Sequence, residues 1–427
     1  MQTKYGKLFS EQELSEIRKK FYYVDEDVEG NKRLFFDNAG GSLRLKNAEE
    51  AFQRIDSMPD ASEHSNKLAL MLAEVEEQGR KDMRVIFNAK KGAIYTGYTA
   101  SQLMMDVVRI LSEHAKGTNC VTTILEHPSS FDAITMYAAK YGRELRVAEA
   151  NKQTGGIDVE TIISLIDKNT AILDCMVASN ISGHIMDIET IVKKARAINP
   201  DIFIICDAVQ HAPHGTLNPE EFGVDAMNFA PYKFFGIRGF GLMYVSDRVA
   251  TLEHHKLSGK PANDWELGSP CTANFAAVSE IVNYVCSLAK IDDKQATNKR
   301  KLFENGMERI AEHERALLEI LLEGTEKTSG LRHIAGIKVL MDDEDLNKRD
   351  LIIGIEFTSM TCTKAVEELE KRQVVAFERA ATSMYSKRMV ECFDSEGVVR
   401  LSPLHVNTPE EIEQFLNIAK EVAGLKF

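Results

Sequence analysis

The sequence has few features of secreted proteins, of proteins stabilised by a structural metal ion, or of membrane proteins. Its seven cysteines are odd in number and scattered, without a CxxC pair or a cysteine–histidine cluster, so we expect neither a disulfide framework nor a metal site. No stretch approaches the roughly 18 apolar residues of a membrane span, and the first residues lack the apolar core of a signal peptide. These absences predict a soluble protein of the reducing cytoplasm that has no membrane partner.

Basic residues are also in short supply. The chain of 427 residues has 52 Lys and Arg against 65 Asp and Glu, a formal net charge of −13. Because this balance offers no basic surface to a phosphate backbone, nucleic acid is not an expected partner. Internal repeats, low-complexity segments and Pro/Gly-rich linkers are absent as well. A hydrophobic content of 44% is that of an ordinary globular protein of two or three domains.

Short apolar runs alternate with helix-period segments in the first two thirds of the chain. The runs are rich in Ile, Val and aromatic residues and lack polar alternation, which is typical of strands covered on both faces. They are GAIYTG (92–97), CVTTIL (120–125), ELRVAE (144–149), AILDCMV (171–177), IFIIC (202–206), AMNFA (226–230) and FGLMYV (240–245). Repeated strand–helix units predict an α/β fold with a mostly parallel sheet between two layers of helices.

A separate α+β domain is predicted at the C-terminal end. Long helical patterns after residue 268 lead to three strand-like segments, GIKVLM (336–341), LIIGIEF (351–357) and VVRLSP (398–403). We therefore divide the chain into an N-terminal arm (1–30), a large domain (31–290) and a small C-terminal domain (291–427). In the arm, Ser10 and Glu13 form a capping-box pattern ahead of an amphipathic run. The arm is expected to pack on a neighbouring chain or partly on the C-terminal domain.

An acid and an amine each follow a predicted strand. Asp207 comes directly after IFIIC, and Lys233 follows AMNFA, so both are expected at the edge where parallel strands end. An ion pair is the ordinary interpretation of such a couple, but burying an ammonium between apolar strands is costly, which favours a chemical role. Gly236, Gly239 and Gly241 precede a strand rather than a helix, so they indicate a tight bend and not a dinucleotide-binding loop.

The segment from Asp207 to Gly241 resembles the class V aminotransferases, a family of pyridoxal-phosphate enzymes that includes the cysteine desulfurases and selenocysteine lyases. The shared pattern is D-x-x-Q, then a lysine closing an apolar strand, then a Gly-rich turn. Further motifs occur in the family's order and cover nearly the whole chain: LFFDNAGGS (34–42), GYTAS (97–101), EHPSS (126–130), SNISGHIMDI (179–188), ELGSP (266–270) and VVRLSPLHVNTPEEI (398–412). The resemblance implies the fold-type I architecture, with a seven-stranded sheet in the large domain, and the cofactor pyridoxal 5′-phosphate.

The resemblance also implies roles around the cofactor ring. Lys233 would form the Schiff base and later act as the base for the substrate α-proton. Asp207 would pair with the pyridinium nitrogen and keep it protonated. His127 would stack on the ring and relay protons, while Gln210 and Asn180 would lie near the phenolic oxygen. For His127, Gln210 and Asn180 the ordinary alternatives are a satisfied polar histidine, a solvated glutamine and an asparagine turn.

The phosphate would be held at the start of the helix that follows GYTAS, where free backbone N–H groups favour an anion. Thr99 would donate its hydroxyl there, and it would also serve as an N-cap. Many family members have Ser-Gly-His before the lysine, whereas this chain has Ala230, Pro231 and Tyr232. Tyr232 would replace the histidine, but Ala230 lacks a hydroxyl. Ser269 would reach the phosphate from the partner subunit, which implies a homodimer with a shared active site.

On the substrate side, Arg400 would bind the α-carboxylate as a bidentate fork. Arg379 would add to carboxylate or side-chain recognition, and Asn38 lies in the segment that resembles the family's substrate-side loop. Cysteine desulfurases also carry a mobile cysteine whose thiolate takes sulfur from the substrate. The matching loop here, FERAATSMYSKR (377–388), has none, and Cys392 lies too close to Arg400 to match.

These features predict a pyridoxal-phosphate enzyme acting on a small L-amino acid. Without the mobile cysteine, the preferred reaction is β-elimination at a C–S bond that releases sulfide without a protein persulfide. A class V aminotransferase is the alternative, and it would require a keto-acid acceptor and accumulate the pyridoxamine form. A catalytically inactive scaffold is a further alternative, which the intact set of Lys233, Asp207 and His127 disfavours.

Overall fold

The computed structural model describes residues 2–59, 64–289 and 298–425. Within these ranges the strands are, in chain order, β1 (Leu34–Phe35), β2 (Ala93–Gly97), β3 (Asn119–Thr123), β4 (Glu144–Ala148), β5 (Thr170–Met176), β6 (Phe203–Asp207), β7 (Ala226–Phe229), β8 (Gly241–Val245), β9 (Ile337–Leu340), β10 (Ile353–Phe357), β11 (Val374–Val375), β12 (Phe377–Ala380) and β13 (Gly397–Leu401).

The helices of the same ranges are α1 (Glu11–Arg18), α2 (Lys46–Asp56), α3 (Lys67–Phe87), α4 (Ala100–His114), α5 (Pro128–Lys140), α6 (Val159–Ser164), α7 (Ile188–Ile198), α8 (Pro219–Phe222), α9 (Asp247–Ala250), α10 (Thr272–Ala289), α11 (Lys299–Glu323), α12 (Cys362–Glu370), α13 (Lys387–Glu391) and α14 (Pro409–Ala423). Single 3₁₀ turns occur at Pro231–Lys233, Leu331–His333 and Leu346–Lys348. None of these helices is long and apolar enough to cross a membrane.

The large sheet has the strand order β2-β8-β7-β6-β5-β3-β4. Neighbours from β4 to β7 pair in parallel, and β8 is antiparallel to both β7 and β2. Each of the seven predicted runs overlaps one of these strands, so the predicted α/β fold with a mostly parallel seven-stranded sheet is confirmed.

Helices cover both faces of this sheet, as the unbroken apolar runs predict. Every residue of β5 is buried, and its successive side chains point to opposite faces. Ile172 packs in the cluster that holds Val107 and Leu111 of α4. Its neighbour Leu173 packs in the cluster that holds Ile191 of α7. An alternating polar strand would leave one of these layers without a core.

The second sheet is antiparallel and has the order β12-β13-β10-β9. The three predicted C-terminal strands correspond to β9, β10 and β13, and the structure adds β12 at Phe377–Ala380. The segment 377–388, interpreted from the sequence as a loop, therefore begins with a strand. That correction has a physical cause: β12 completes the edge of the sheet by pairing with β13, a contact that the short, polar FERA segment does not reveal.

The N-terminal arm packs on its own chain. Phe9, Leu14 and Ile17 are buried in the large apolar cluster, and the Phe9 N–H donates to His313 Nδ1 at 3.0 Å. Arg18 forms an ion pair with Glu411 at 2.8 Å. The predicted capping box at Ser10 is present. The apolar face of the arm is thus covered within its own chain, and the predicted contact with a neighbouring chain stays a prediction.

The two parts of the chain are continuous through α11. Leu302 and Met307 in its first half join the large-domain cluster, whereas Leu317 and Leu321 in its second half join the C-terminal cluster. The short strand β1 pairs with β11, so the segment before α2 also reaches the C-terminal part. The predicted boundary between residues 290 and 291 lies outside the described residues.

Two glycines allow α10 to pack closely against its neighbours α3 and α11. A Cβ on Gly79 would lie 2.4 Å from the Cβ of Phe275, and one on Gly306 would lie 2.0 Å from the backbone oxygen of Val285. Such distances are far inside van der Waals contact, so the helices meet backbone to backbone at these points.

We expect Gly306→Ala to lower thermal stability, because the added methyl would push α11 away from α10. Overpacking of this kind costs about 1–3 kcal/mol, more than the roughly 1 kcal/mol that alanine gains in helix propensity. Gly424→Ala is the control, because its Cβ would sit at an ordinary 3.4 Å from Glu421 O. A Gly306→Ala protein that melts at or above the wild-type temperature would contradict the close-packing interpretation.

Candidate active site

The strands β2, β3, β5, β6 and β7 run in one direction and end at the same edge of the large sheet. The turns that leave this edge carry seven of the residues predicted for the site. Those residues line one cavity of about 220 Å³: Thr99, His127, Asn180, Asp207, Gln210, Tyr232 and Lys233. The sheet topology therefore brings together side chains that are far apart in the sequence.

Lys233 lies in the 3₁₀ turn after β7, with its amine turned into the cavity. Its Nζ is 3.5 Å from Gln210 Oε1, a long contact that leaves the amine weakly held. Burial lowers the pKa of Lys233 to about 8, the charge of Arg400 acts in the same direction, and Asp207 opposes both. The amine is therefore much closer to neutrality at physiological pH than an ordinary lysine.

Asp207 is the last residue of β6, and only 8% of it is exposed. Its Oδ1 accepts a hydrogen bond from the Val209 N–H at 2.9 Å. Burial raises the pKa of this carboxyl group, while the Val209 N–H and the charge of Lys233 counteract the rise. A buried carboxylate beside an amine is able to hold a positively charged ligand group in the cavity.

His127 caps the first turn of α5. Its Nδ1 accepts from the Ser129 N–H at 3.2 Å and lies 2.7 Å from Ser129 Oγ. Burial lowers the pKa of His127 to about 4, and the charge of Lys233 acts in the same direction. The ring is therefore neutral, and because Nδ1 accepts a hydrogen bond, the ring proton resides on Nε2.

The other end of the cavity is the start of α4. Thr99 is the N-cap, and its side chain accepts from the Gln102 N–H at 3.0 Å, so the predicted capping role is present. Ser101 and Arg238 also line the cavity, although neither was singled out from the sequence. The guanidinium of Arg238 stacks on the ring of Tyr232 at 4.1 Å. Free helix N–H groups, hydroxyls and a guanidinium together form a typical anion site.

Ser269 is not brought to this cavity within one chain. It lines a different cavity of about 680 Å³, together with Tyr98, Gln102 and Phe240. Tyr98 and Phe240 line the Lys233 cavity as well, so the two spaces adjoin. The prediction that Ser269 serves a partner subunit's site stays a prediction.

Two arginines extend the site toward the C-terminal sheet. Arg400 on β13 donates to Asp37 Oδ1 at 2.7 Å and to the Asn180 carbonyl at 3.3 Å. Arg379 on β12 donates to the Tyr385 carbonyl at 3.0 Å. Both guanidinium groups contribute to the lowered pKa of Lys233. The predicted carboxylate-binding side chains thus lie within electrostatic reach of the amine.

The loop that contains Asn38 reaches the site through its neighbour Asp37. The Asn38 amide is buried, donating to Ser402 O at 2.9 Å and accepting from the Leu43 N–H at 3.1 Å. These hydrogen bonds hold the loop against the end of β13. The predicted role of Asn38 in substrate binding stays a prediction. Asp37 was missed because an acid before Asn38 has no sequence pattern that pairs it with a distant arginine.

Two further carboxyl groups lie beneath the cavity and were not singled out from the sequence. Glu126 accepts from the Met176 N–H at 2.8 Å, and Asp174 accepts from Ser130 Oγ at 2.6 Å. Both residues are fully buried. Burial raises the pKa of Asp174 to about 7 and that of Glu126 well above its ordinary value. Both shifts favour the neutral, protonated form of these carboxyl groups.

Cys392 is packed away from the cavity. Its Sγ donates to the Met389 carbonyl at 3.4 Å, and burial raises its pKa to about 12. A thiol with this pKa is almost entirely protonated at neutral pH and is a poor nucleophile. In the segment 377–388, Met384 is exposed to 82% and Tyr385 to 59%.

The chain matches a protein-family model described as aminotransferase class-V over residues 34–415. It is 23% identical over 433 residues to a probable cysteine desulfurase of Borreliella burgdorferi, covering 95% of each chain. It is also 23% identical over 408 residues to the aminotransferase-like protein FGM3 of Gibberella zeae, covering 90% of this chain and 93% of FGM3.

Solved structures share the fold. The apo cysteine desulfurase of Thermococcus onnurineus NA1 superposes with a TM-score of 0.79 at 21% identity, over 96% of this chain and 98% of that one. The cysteine desulfurase CsdA of Escherichia coli gives 0.79 at 16% identity, over 99% and 100%. Because the family model spans nearly all of the chain, the chain belongs to the aminotransferase class-V family of pyridoxal-phosphate-dependent enzymes.

Proposed function

We propose that the chain binds pyridoxal 5′-phosphate through Lys233 and acts on a small L-amino acid. The observation that carries this proposal is a buried amine with a pKa of about 8 that shares a cavity with the carboxyl group of Asp207. An aldehyde is attacked by an unprotonated amine, and burial supplies one near physiological pH. An ordinary exposed lysine would be almost fully protonated under the same conditions.

The polar groups around the cavity fit the parts of this cofactor. Asp207 would pair with the protonated ring nitrogen, and the neutral ring of His127 would stack on the cofactor ring. Gln210 would lie beside the ring oxygen. Asn180 Oδ1 is buried and has no hydrogen-bond partner among the described residues, so it is free to accept one from a ligand.

The phosphate would be held at the start of α4 by Thr99 and the first helix N–H groups. Tyr232 and Arg238 would add donors in place of the Ser-Gly-His of other family members, because Ala230 has no hydroxyl to offer. Tyr232 lies under the Arg238 guanidinium at 4.1 Å, which orients both side chains toward the same end of the cavity.

When bound, the cofactor supplies an electron sink for negative charge at the substrate α-carbon. The amine of Lys233 would remove the α-proton, a task suited to a base whose pKa is near the working pH. In His127, Nδ1 accepts a hydrogen bond from the Ser129 N–H, so the opposite ring nitrogen, Nε2, would carry the proton that His127 donates or relays. Arg400 and Arg379 would orient the substrate through its carboxylate.

We infer that the reaction is β-elimination at a C–S bond, with sulfide leaving directly. Two features support this choice over a persulfide mechanism: the segment 377–388 contains no cysteine, and Cys392 is a protonated, packed thiol. A requirement for a keto-acid acceptor would instead assign the chain to the aminotransferases of the family.

We also propose a homodimer that completes the site. Ser269 lies outside the Lys233 cavity of its own chain, in the adjoining space. Two large apolar side chains beside that space are exposed in the single chain, Tyr98 to 79% and Leu267 to 59%. A second copy would cover them and bring its Ser269 toward the phosphate end. The reducing cytoplasm remains the proposed location.

Lys233→Ala should abolish the visible absorbance of the bound cofactor and all turnover, because no other amine lines the cavity in the described part of the chain. The measurement is the absorbance spectrum of the purified protein. Lys116→Ala, at an exposed lysine, is the control and should leave the spectrum unchanged. An unaltered spectrum in Lys233→Ala would show that the cofactor assignment is wrong.

The rate at which apo-protein takes up the cofactor should rise with pH, with a midpoint near pH 8 and a plateau about one to two units above it, because the unprotonated form of Lys233 is the reactive one. Stopped-flow absorbance after mixing with pyridoxal 5′-phosphate measures this profile. In Asp207→Asn the midpoint should move to lower pH, since the aspartate charge raises the pKa of Lys233. A midpoint near 10 would contradict the buried-amine interpretation, because it is the value of an ordinary lysine.

Replacing the three cysteines that are not buried, Cys271, Cys362 and Cys392, should leave sulfide release from L-cysteine within about twofold of wild type, since no thiolate takes part. The measurements are the rate of sulfide release and the melting temperature of each variant, which shows whether the variant is folded. Loss of release in Cys392→Ala at an unchanged melting temperature would mean that a persulfide does form.

A further inference from the structure

Arg379 and Arg400 project from the same face of the C-terminal sheet. Strands β12 and β13 are antiparallel, with Phe377 opposite Arg400 and Arg379 opposite Val398. Residues opposite one another share a face, so Arg379 is a diagonal neighbour of Arg400, within reach of one common ligand. Arg379 is exposed to only 8% and Arg400 to 2%, and the charge of each lowers the pKa of Lys233.

The two arginines are compensated unequally. Arg400 has a carboxylate partner in Asp37, at 2.7 Å. Arg379 makes no ion pair among the described residues, and its bond to the Tyr385 carbonyl is a neutral one. The Nε atoms of both are buried without a hydrogen-bond partner in the described part of the chain. Donors therefore remain for a further anion.

The other charged groups nearby contact other residues. Arg388 donates to the backbone oxygens of Ile124 and Glu126. Arg238 stacks on Tyr232 and lines the cavity with Thr99, at the phosphate end of the proposed site. Asp207 is assigned to the cofactor ring. The side-chain charges that act most strongly on Lys233, apart from Asp207, are those of Arg400, Arg379 and Asp37, a net charge of one positive unit.

We propose that Asp37 is a specificity-determining residue: by neutralising one of the two arginines, it restricts the site to amino acids with a single carboxylate. This inference rests on the proposed function. One α-carboxylate balances the remaining positive charge. A substrate with an acidic side chain would add a second negative charge to a buried site that has no cation left for it, and such a charge is strongly disfavoured.

The test compares L-alanine with L-aspartate, two amino acids that differ by one carboxylate. Apparent dissociation constants are read from the change in the cofactor spectrum of holo-protein. The wild type should prefer L-alanine. Asp37→Asn should shift the ratio of the two constants toward L-aspartate by about tenfold or more, the effect of one buried charge pair. Asp37→Ser, equally neutral, should act in the same way, whereas Asp37→Glu should keep the wild-type ratio.

Charge counting also predicts a compensation. Asp37→Asn combined with Arg379→Gln leaves Arg400 alone, again one positive unit, so the preference for L-alanine should return. If Asp37→Asn and Asp37→Ser both leave the ratio of the two dissociation constants at its wild-type value, the inference is overturned. A wild-type protein without a visible cofactor band, or with a band that no amino acid perturbs, would instead refute the proposed function on which the inference rests.

Discussion

The site depends on an amine that the fold withdraws from water. Lys233 follows β7 at the carboxyl edge of the large sheet, where burial and the charge of Arg400 lower its pKa to about 8. Desolvating an ammonium is costly unless a partner or a ligand compensates for it. Asp207, from the adjacent strand, compensates in part. The other groups of the cavity surround this couple, and the chemistry of the proposed reaction requires that the amine loses its proton easily.

Three separate parts of the chain meet at the substrate side of that amine. Asp37 comes from the loop after β1, Asn180 from the turn after β5, and Arg400 from β13, and the guanidinium of Arg400 contacts both of the others. The N-terminal segment and the C-terminal sheet thereby reach the site that the large sheet builds. Since Asp37 also pairs with Ser402, the residue after β13, Asp37 is fixed beside the strand that carries Arg400.

Much of the fold and the centre of the site could be predicted from the sequence, because both depend on local patterns. Unbroken apolar runs predicted the seven strands, the residues after two of them suggested Asp207 and Lys233, and the resemblance to the class V family added His127; all three line one cavity. Asp37 and Arg238 were missed because their significance comes from contacts across the chain, an ion pair and a ring stack. The strand β12 was missed for the same reason, since its pairing with β13 is not encoded in the FERA segment.

The central claim, that Lys233 is the residue to which the cofactor is joined, has a direct chemical test. Borohydride reduction of the purified holo-protein fixes the cofactor on its lysine, and peptide mass spectrometry then locates the modified residue. We predict one modified peptide, carrying the cofactor at Lys233 in the segment PYKFFGIR. Modification of another lysine, or a reduced protein with no modified peptide, would contradict the account.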